Sequence, residues 1–568
     1  MTAAATRPLL AAGSPPREHS ARVVVLSVLC AASVLGALLL VASMLPGATL
    51  AGRLLQATGE EAHAGAYTAD LVAHLDERLR FAAGLLLVLV VGLVVVRNAF
   101  EDLVVDSLKS AAWPIWAVSI PTVLAVGAPT LVGLGLRAAF LHQPMRYDEA
   151  LAFNEFASRP LYYGLSFYPD PNNHLLTTLL VHLAYVGLGN QPWILRLPAF
   201  LGGVLLVPAT YALARLLYGT GAAFFSASLV AVSSYIVEYS TNSRGYTLQA
   251  LCFVLLLTLA ILAVRRDSLG ALLVAALVAA IGAYALPTML YGVAIAAVWL
   301  GLEAWRRTRA SIGARHLLAN GLVLGLVVAL LYLPVIVVSG PEKLVGNRFV
   351  VPLTASDLAT ELPHSLARTW GFWNRDVPLP LGAALLVGFG VATVADVRRR
   401  KVPLGVLSAS ICLALVLLQR VAPFERVWLF LLPLYFVIAS GGLARFLDGR
   451  LLGIAFGAIL GFTTLTSGSI LRSTETGAFP DAEAVARTLA GRLGGADAVL
   501  TQLPASLPEL QYYFPRAGLP IESLVRPPQE AAHLYVIAPP HATPFVEGWR
   551  DPHTIASYPD SELFELTR

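Results

Sequence analysis

At 568 residues, with 57% hydrophobic and only 13% charged side chains and a mean hydropathy of +0.71, the chain is far more apolar than a soluble domain, where charged residues run to about 25%. It therefore reads as a polytopic membrane protein. The net charge of +4 is small for this length and leaves no nucleic-acid footprint, and the three cysteines (Cys30, Cys252, Cys412) sit in apolar runs without CxxC spacing, which argues against a disulfide framework or a thiolate metal site.

In chain order, a polar segment with Arg7, Arg17 and Arg22 precedes an uncharged run at 23–45. That run exceeds the roughly 7–15-residue core of a signal peptide, so it is expected to stay as a first span. Runs at 81–96 and within 113–136 give a second and a third. Directly after comes Met145-Arg146-Tyr147-Asp148-Glu149, two adjacent carboxylates where the chain would leave the membrane. Charge is costly beside hydrocarbon, so such a pair is either a solvated loop or the polar centre of a site.

Basic clusters at 265–266, 306–315, 398–401 and 445–450 belong in the cytoplasm by the positive-inside rule. With the N-terminus also cytoplasmic, three crossings put Asp148 and Glu149 outside. An odd number of crossings is then required before Arg265, yet four apolar runs intervene, at 174–189, 197–217, 220–238 and 248–264. The first is short and carries His174 and His182, so it is expected to lie at the outer surface. Arg196 and Asn242-Ser243-Arg244-Gly245-Tyr246 then share the face of Asp148.

Runs at 268–284, 288–304, 316–338, 378–395, 403–419, 427–444 and 451–470 complete the pattern, for about thirteen spans in all. The long outer loop at 339–377, with Arg368, Trp370, Trp373 and Arg375, suits interfacial helices or a lid; a shorter one ends in Glu425-Arg426. From 471 the composition is that of a soluble segment. Asp481 is expected to cap a helix with Val485, Leu489 and Leu493 on one face, and 498–501, 533–538 and 563–567 read as strands. The expected fold is an all-α polytopic membrane protein with a small extracytoplasmic α/β domain. Its divisions fall at 1–110 (an N-terminal segment with an additional helix pair), 111–470 (the membrane core) and 471–568. The last part is small enough to lean on the membrane part.

No Walker loop, GxGxxG, HExxH or Asp-x-Asp motif is found, so a nucleotide-using site is not expected. Span centres carry no ionisable residue in this reading, which argues against an ion-coupled transporter.

The order Tyr147-Asp148-Glu149, Asn172-Asn173-His174, Arg196-Leu197-Pro198-Ala199, Ala212-Leu213-Ala214-Arg215-Leu216-Leu217-Tyr218-Gly219 and Ser243-Arg244-Gly245-Tyr246 resembles the integral-membrane glycosyltransferases of superfamily C (GT-C), in particular the protein-mannosyltransferase and aminoarabinose-transferase-like branch. The resemblance covers 117–265 in its residues and 266–470 as a pattern of spans. It implies a multi-pass enzyme of the plasma membrane that moves a hexose or pentose from a polyprenyl-phosphate donor to an acceptor hydroxyl on the extracytoplasmic face, with inversion. The acceptor would be a glycan, lipid or protein, and membrane lipids would surround the prenyl chain.

Within that frame Asp148 is the base, with Glu149 orienting it or the acceptor. His174, Arg244 and Arg426 meet the donor phosphate, whose growing negative charge needs preplaced positive donors. Tyr147, Asn173, Arg196 and Tyr246 lie at the sugar. Bland readings stand beside these: Arg196 and Arg244 snorkelling to headgroups, His174 capping a helix, Arg426 paired with Glu425. A divalent metal stays open, because one Asp-Glu pair without a third ligand does not specify a site. The alternatives to an enzyme are a transporter or flippase of lipid-linked sugars and a non-catalytic scaffold in envelope assembly.

Overall fold

The computed structural model describes residues 15–58, 65–110, 120–306, 312–346 and 351–568. Among these, nine helices are long and apolar enough to cross a membrane, or ten if Thr220–Val232 and Ser234–Ser240, bent by 60° at their junction, form one span. Helices Leu269–Ala285, Met289–Arg306 and Leu404–Gln419 fall at the remaining expected spans. Their 16 to 18 residues reach about 24–27 Å, a little under the hydrocarbon thickness of ~30 Å. The expected third span is seen as Ile120–Phe140; the part of that expectation at 113–119 lies outside the described residues.

Helix Leu175–Leu188 has 14 residues, about 21 Å, too short to cross. Helix Gly65–Val95 is instead nearly twice as long as its apolar run, at 31 residues. Tertiary bonds hold its charged first turns. Arg78 donates to Asp70 (2.8 Å), Glu342 (3.0 Å) and the Val338 carbonyl (2.8 Å), tying this helix to the end of Ala314–Val338.

Two ionisable residues lie near span ends, away from the span centres that are expected to be uncharged. Arg137 and Glu238 are both 0% exposed within membrane helices. Arg137 donates to the carbonyls of Val230 (3.2 Å), Ala231 (2.8 Å) and Gly133 (2.9 Å), and to Ser240 Oγ (3.0 Å). Val230 and Ala231 belong to the last turn of Thr220–Val232, where the break at Ser233 removes the N–H groups that would have served them. A cation at a helix C-terminus also suits the helix dipole. The charge thus stabilises the bend. Gly203 makes room for it: a Cβ there would sit 2.0 Å from Ser240 Oγ.

In the long loop, Glu342–Val345 and the amphipathic helix Ala355–Trp373 are formed, and Thr354 Oγ1 caps the latter by accepting the Asp357 N–H (3.2 Å). The C-terminal part carries helix Ala482–Leu489 and a four-stranded sheet. Its strands are β1 (Ala498–Thr501), β2 (Leu534–Ala538), β3 (Arg550–Ser557) and β4 (Glu562–Thr567), in the order β1-β2-β4-β3. β1 and β2 are parallel and the other pairs antiparallel.

Strand β3 was not expected, because it is an edge strand exposed along most of its length and has no apolar alternation to read. Asp481 stands at the N-cap but does not cap. Its Oδ2 instead accepts from Asp560 N–H and Ser561 Oγ, both at 2.9 Å, pinning the turn before β4. Val485, Leu489, Leu510, Phe514 and Leu563 form one apolar cluster with Met145, Ala150 and Phe153. The small domain shares its core with the helix that carries Asp148.

Candidate active site

Arg146 precedes the short helix Tyr147–Ala152, and its N–H donates to Glu149 Oε1 (2.9 Å). Glu149 is 0% exposed. Oε1 also accepts from Arg196 Nη2, while Oε2 accepts from Arg196 Nε (3.1 Å) and the Ser243 N–H (2.8 Å). One carboxylate therefore joins three segments distant in sequence. Arg196 spends its other donors on the carbonyls of Leu141 (2.8 Å), Gln143 (2.6 Å) and Pro144 (2.8 Å). This corrects the expectation that Arg196 meets the sugar: it is fully buried with every N–H taken, so it reaches neither lipid nor substrate.

Asp148 faces the other way. Its N–H donates to the Thr476 carbonyl (3.1 Å), and its carboxylate stands 3.7 Å from Arg426 Nη2, the two side chains 17% and 20% exposed. Among the described residues Oδ2 has no hydrogen-bond partner. Arg426 lies 4.7 Å over the Phe424 ring, and Glu425 is taken by Arg368, so the Arg426–Glu425 pair is not formed.

Arg244 donates through Nη1 to the carbonyls of Asn172 (3.0 Å) and Asp148 (3.3 Å); its buried Nε has no partner among the described residues. His174 occupies the N-cap of Leu175–Leu188 without capping it. Its Nδ1 accepts the Gly245 N–H (2.9 Å), and Nε2 lies 3.2 Å from Arg244 Nη2. Burial first, then Arg244 and Arg426, hold the imidazole well below its usual pKa, so the ring is neutral. A neutral ring has one N–H. Since the fixed backbone N–H must donate to Nδ1, that proton sits on Nε2 and meets another donor.

Tyr246 is buried edge-on to His174 (5.3 Å) and Tyr239 (5.0 Å), and half-buried Tyr147 sends its N–H to the Gly477 carbonyl (3.4 Å). Asn173 does not line a sugar site. Its amide nitrogen donates to the carbonyls of Gly164 and Phe167 (both 2.8 Å), and its oxygen accepts from Thr178 Oγ1 (2.7 Å), closing its own loop. His182 is bonded to the Ala157 carbonyl (2.9 Å). Among the described residues no three His, Cys, Asp or Glu side chains gather as a metal site.

Sequence reasoning missed the segment that closes the site from behind. Ile470 and Ser473 carbonyls accept from Arg146 (2.5 and 3.0 Å), whose Nη1 also meets Glu238 (2.9 Å); Arg375 binds the other Glu238 oxygen. Glu475 Oε1 accepts from the phenols of Tyr239 (2.7 Å) and Tyr235 (3.3 Å). Burial above all, with Glu238 adding to it, pushes the Glu475 carboxyl up to about 7. Glu509, in helix Leu507–Arg516, is 0% exposed, with both oxygens unpartnered among the described residues. Burial, then Glu149 and Asp148, push it up to about 8. Neither glutamate lies in a motif, so only the folded chain reveals them.

Residues 173–335 match the family model for dolichyl-phosphate-mannose-protein mannosyltransferase. This bears out the resemblance to the protein-mannosyltransferase branch of GT-C over a segment that includes His174, Arg196 and Arg244, and leaves Asp148 outside it. No curated protein matches the chain. Among solved structures, the Archaeoglobus fulgidus oligosaccharyltransferase is 12% identical with a TM-score of 0.42, covering 72% of this chain, which in turn spans 64% of that protein. ArnT from Cupriavidus metallidurans is 14% identical, TM-score 0.32, covering 78% of this chain and 97% of its own. Arabinosyltransferase EmbB from Mycobacterium smegmatis is 15% identical, TM-score 0.39, covering 74% and 37%.

Proposed function

We propose that this membrane protein is an inverting glycosyltransferase that moves a hexosyl or pentosyl group from a polyprenyl-phosphate donor to an acceptor hydroxyl on the extracytoplasmic face. The observation that carries this is the Asp148 carboxylate, one oxygen free of hydrogen bonds among the described residues, 3.7 Å from Arg426. The donor-to-donor contact of His174 and Arg244 adds an anion-seeking pair beside it. The family matched over 173–335 is described by a donor of this class, dolichyl-phosphate mannose.

In the reaction, Asp148 takes the proton of the acceptor hydroxyl as that oxygen bonds to the anomeric carbon. The bond from this carbon to the phosphate oxygen breaks, its electron pair staying on the phosphate, and polyprenyl phosphate leaves. Arg426, Arg244 and the Nε2–H of His174 stabilise that charge. Glu149, bonded on all sides by Arg146, Arg196 and Ser243, holds the turn that aims Asp148, and Arg196 acts through it. Tyr147 and Tyr246 would bound the sugar. The division at 1–110, 111–470 and 471–568 belongs to the same reading, with the last part supplying the back of the site.

A transporter of lipid-linked sugars draws support from the bent pair and the buried Glu238, since broken helices and intramembrane charges mark transport sites. Glu238 is nonetheless held by both Arg146 and Arg375, so its carboxylate is not open to a coupling ion. The deciding experiment is radiolabel transfer from a panel of polyprenyl-phosphate sugars into envelope fractions, wild type beside Asp148→Asn. A loss of about 10²–10⁴-fold in a folded variant is expected of a missing base. Equal transfer by both removes Asp148 from the mechanism, and lipid movement across sealed vesicles without transfer favours the transporter.

A further inference from the structure

Three buried acceptor atoms near Asp148 have no hydrogen-bond partner among the described residues: Asp148 Oδ2, which has only the 3.7 Å ion pair with Arg426, Glu475 Oε2 and Asn242 Oδ1. Buried polar atoms are nearly always hydrogen-bonded, so each orphan points to something the folded chain does not supply. The three are also tied to one another. Asn242 Nδ2 donates to Thr476 Oγ1 (3.3 Å), the Thr476 carbonyl accepts the Asp148 N–H (3.1 Å), and Glu475 is the preceding residue. Asn242 is oriented by that bond to Thr476, which leaves its oxygen as the free atom.

Glu475 is also fixed in direction. The phenols of Tyr239 and Tyr235 both donate to Oε1, leaving Oε2 as the open acceptor, and Tyr239 continues through Tyr246 to His174 in edge-on contacts. A missing partner that donates to several acceptors beside aromatic rings is chemically a polyol. A cationic partner is disfavoured, because Arg426 and Arg375 already face Glu475 and like charges repel at short range.

We propose that Glu475, through Oε2 and with Asn242 Oδ1 beside it, receives hydroxyl groups of the transferred sugar and so sets which sugar the site accepts. The inference rests on the glycosyltransferase reading of the Asp148 site. It gives the segment leading into the small domain a part in choosing the donor, in addition to its part in holding Arg146 and Asp148. A carboxyl with a pKa of about 7 either accepts from a hydroxyl or donates to one near neutral pH, which suits sugar recognition.

The test uses the full-length protein in lipid nanodiscs, with the best donor of a polyprenyl-phosphate sugar panel and its singly deoxygenated analogues. For the wild type, removal of the hydroxyl read by Glu475 should lower kcat/KM by on the order of 10- to 100-fold, as expected for a hydrogen bond to a charged partner. In Glu475→Gln and Glu475→Ala, the penalty for that same deoxygenation should disappear while transfer of the parent sugar persists at a raised KM. Asn242→Ala, which leaves both tyrosine bonds intact, should erase the penalty at a neighbouring hydroxyl and covers the case in which the Glu475 variants do not fold. An unchanged pattern of penalties in the folded variants overturns the inference and leaves the glycosyltransferase reading intact. Failure of the wild type to transfer any sugar of the panel overturns both.

Discussion

Replacing Glu149 by Gln changes almost no volume but removes the carboxylate paired with a fully buried guanidinium, Arg196. Glu149 accepts from Arg146 N–H, two nitrogens of Arg196 and Ser243 N–H, all of them donors, so an amide NH₂ would face at least one donor head-on. Arg196, 0% exposed, would be left as an unpaired buried cation. Breaking a buried pair from one side costs about 3–5 kcal/mol, a large part of a net stability of roughly 5–15 kcal/mol. The expected result is a fall in thermal midpoint of about 3–4 °C for a chain of this length, read by intrinsic fluorescence of the purified protein, with sugar transfer falling in parallel. Arg196→Lys should fall between the two, because one ammonium cannot serve Glu149 and three carbonyls at once. A Glu149→Gln protein that melts with the wild type yet transfers no sugar would refute this reasoning and return Glu149 to the groups that touch substrate.

Arg244→Ala and Arg426→Ala should each weaken binding of polyprenyl phosphate by roughly 10- to 100-fold, measured by displacement of a labelled lipid phosphate, with little change in melting for Arg426. Arg137→Met leaves the carbonyls of Val230 and Ala231 unserved and should lower stability by at least about 2 kcal/mol, seen as reduced yield of folded protein. Gly203→Ala, whose Cβ would meet Ser240 Oγ, should cost about 1–3 kcal/mol by overpacking the same place. The carboxyl of Glu509, at about 8 when folded against about 4.3 in an unfolded chain, binds its proton more tightly in the folded state. Its contribution to stability is therefore present below pH 4 and lost as pH rises toward 8. Glu475, at about 7, adds a slope of the same sign that ends earlier. The melting temperature should drift down from pH 5 to 8, and Glu509→Gln should flatten that drift.

Much of this was readable in the sequence because transferring an apolar run into lipid is a local property that residues sum without knowing their neighbours. Hence runs such as 248–264 became helices such as Tyr246–Arg266. Pairings across the chain are not local. The charged turns of Gly65–Val95 are helical because Arg78 finds Glu342 and the Val338 carbonyl, and Arg137 is tolerated because Ser233 breaks the facing helix. The resemblance pointed to Arg196 as a substrate contact; only its bonds to Glu149 and three carbonyls show it facing inward. Glu475 carries no motif, and its neighbours Tyr235 and Tyr239 arrive from more than 230 residues earlier.

The shared core of the small domain and the Asp148 helix also fixes an order of assembly. Met145 sends its N–H to Tyr513, 368 positions later, and Asp148 sends its own to Thr476. While the chain is being made, the Tyr147–Ala152 helix is threaded early with its apolar side uncovered and the Arg146 guanidinium without its carbonyl acceptors. It stays so until the final segment emerges and docks. Contacts of such long range form late, and chains made N-terminus first wait for them. A chain cut before residue 471 would lack the Ser473 carbonyl that receives Arg146 and the Thr476 carbonyl that receives the Asp148 N–H.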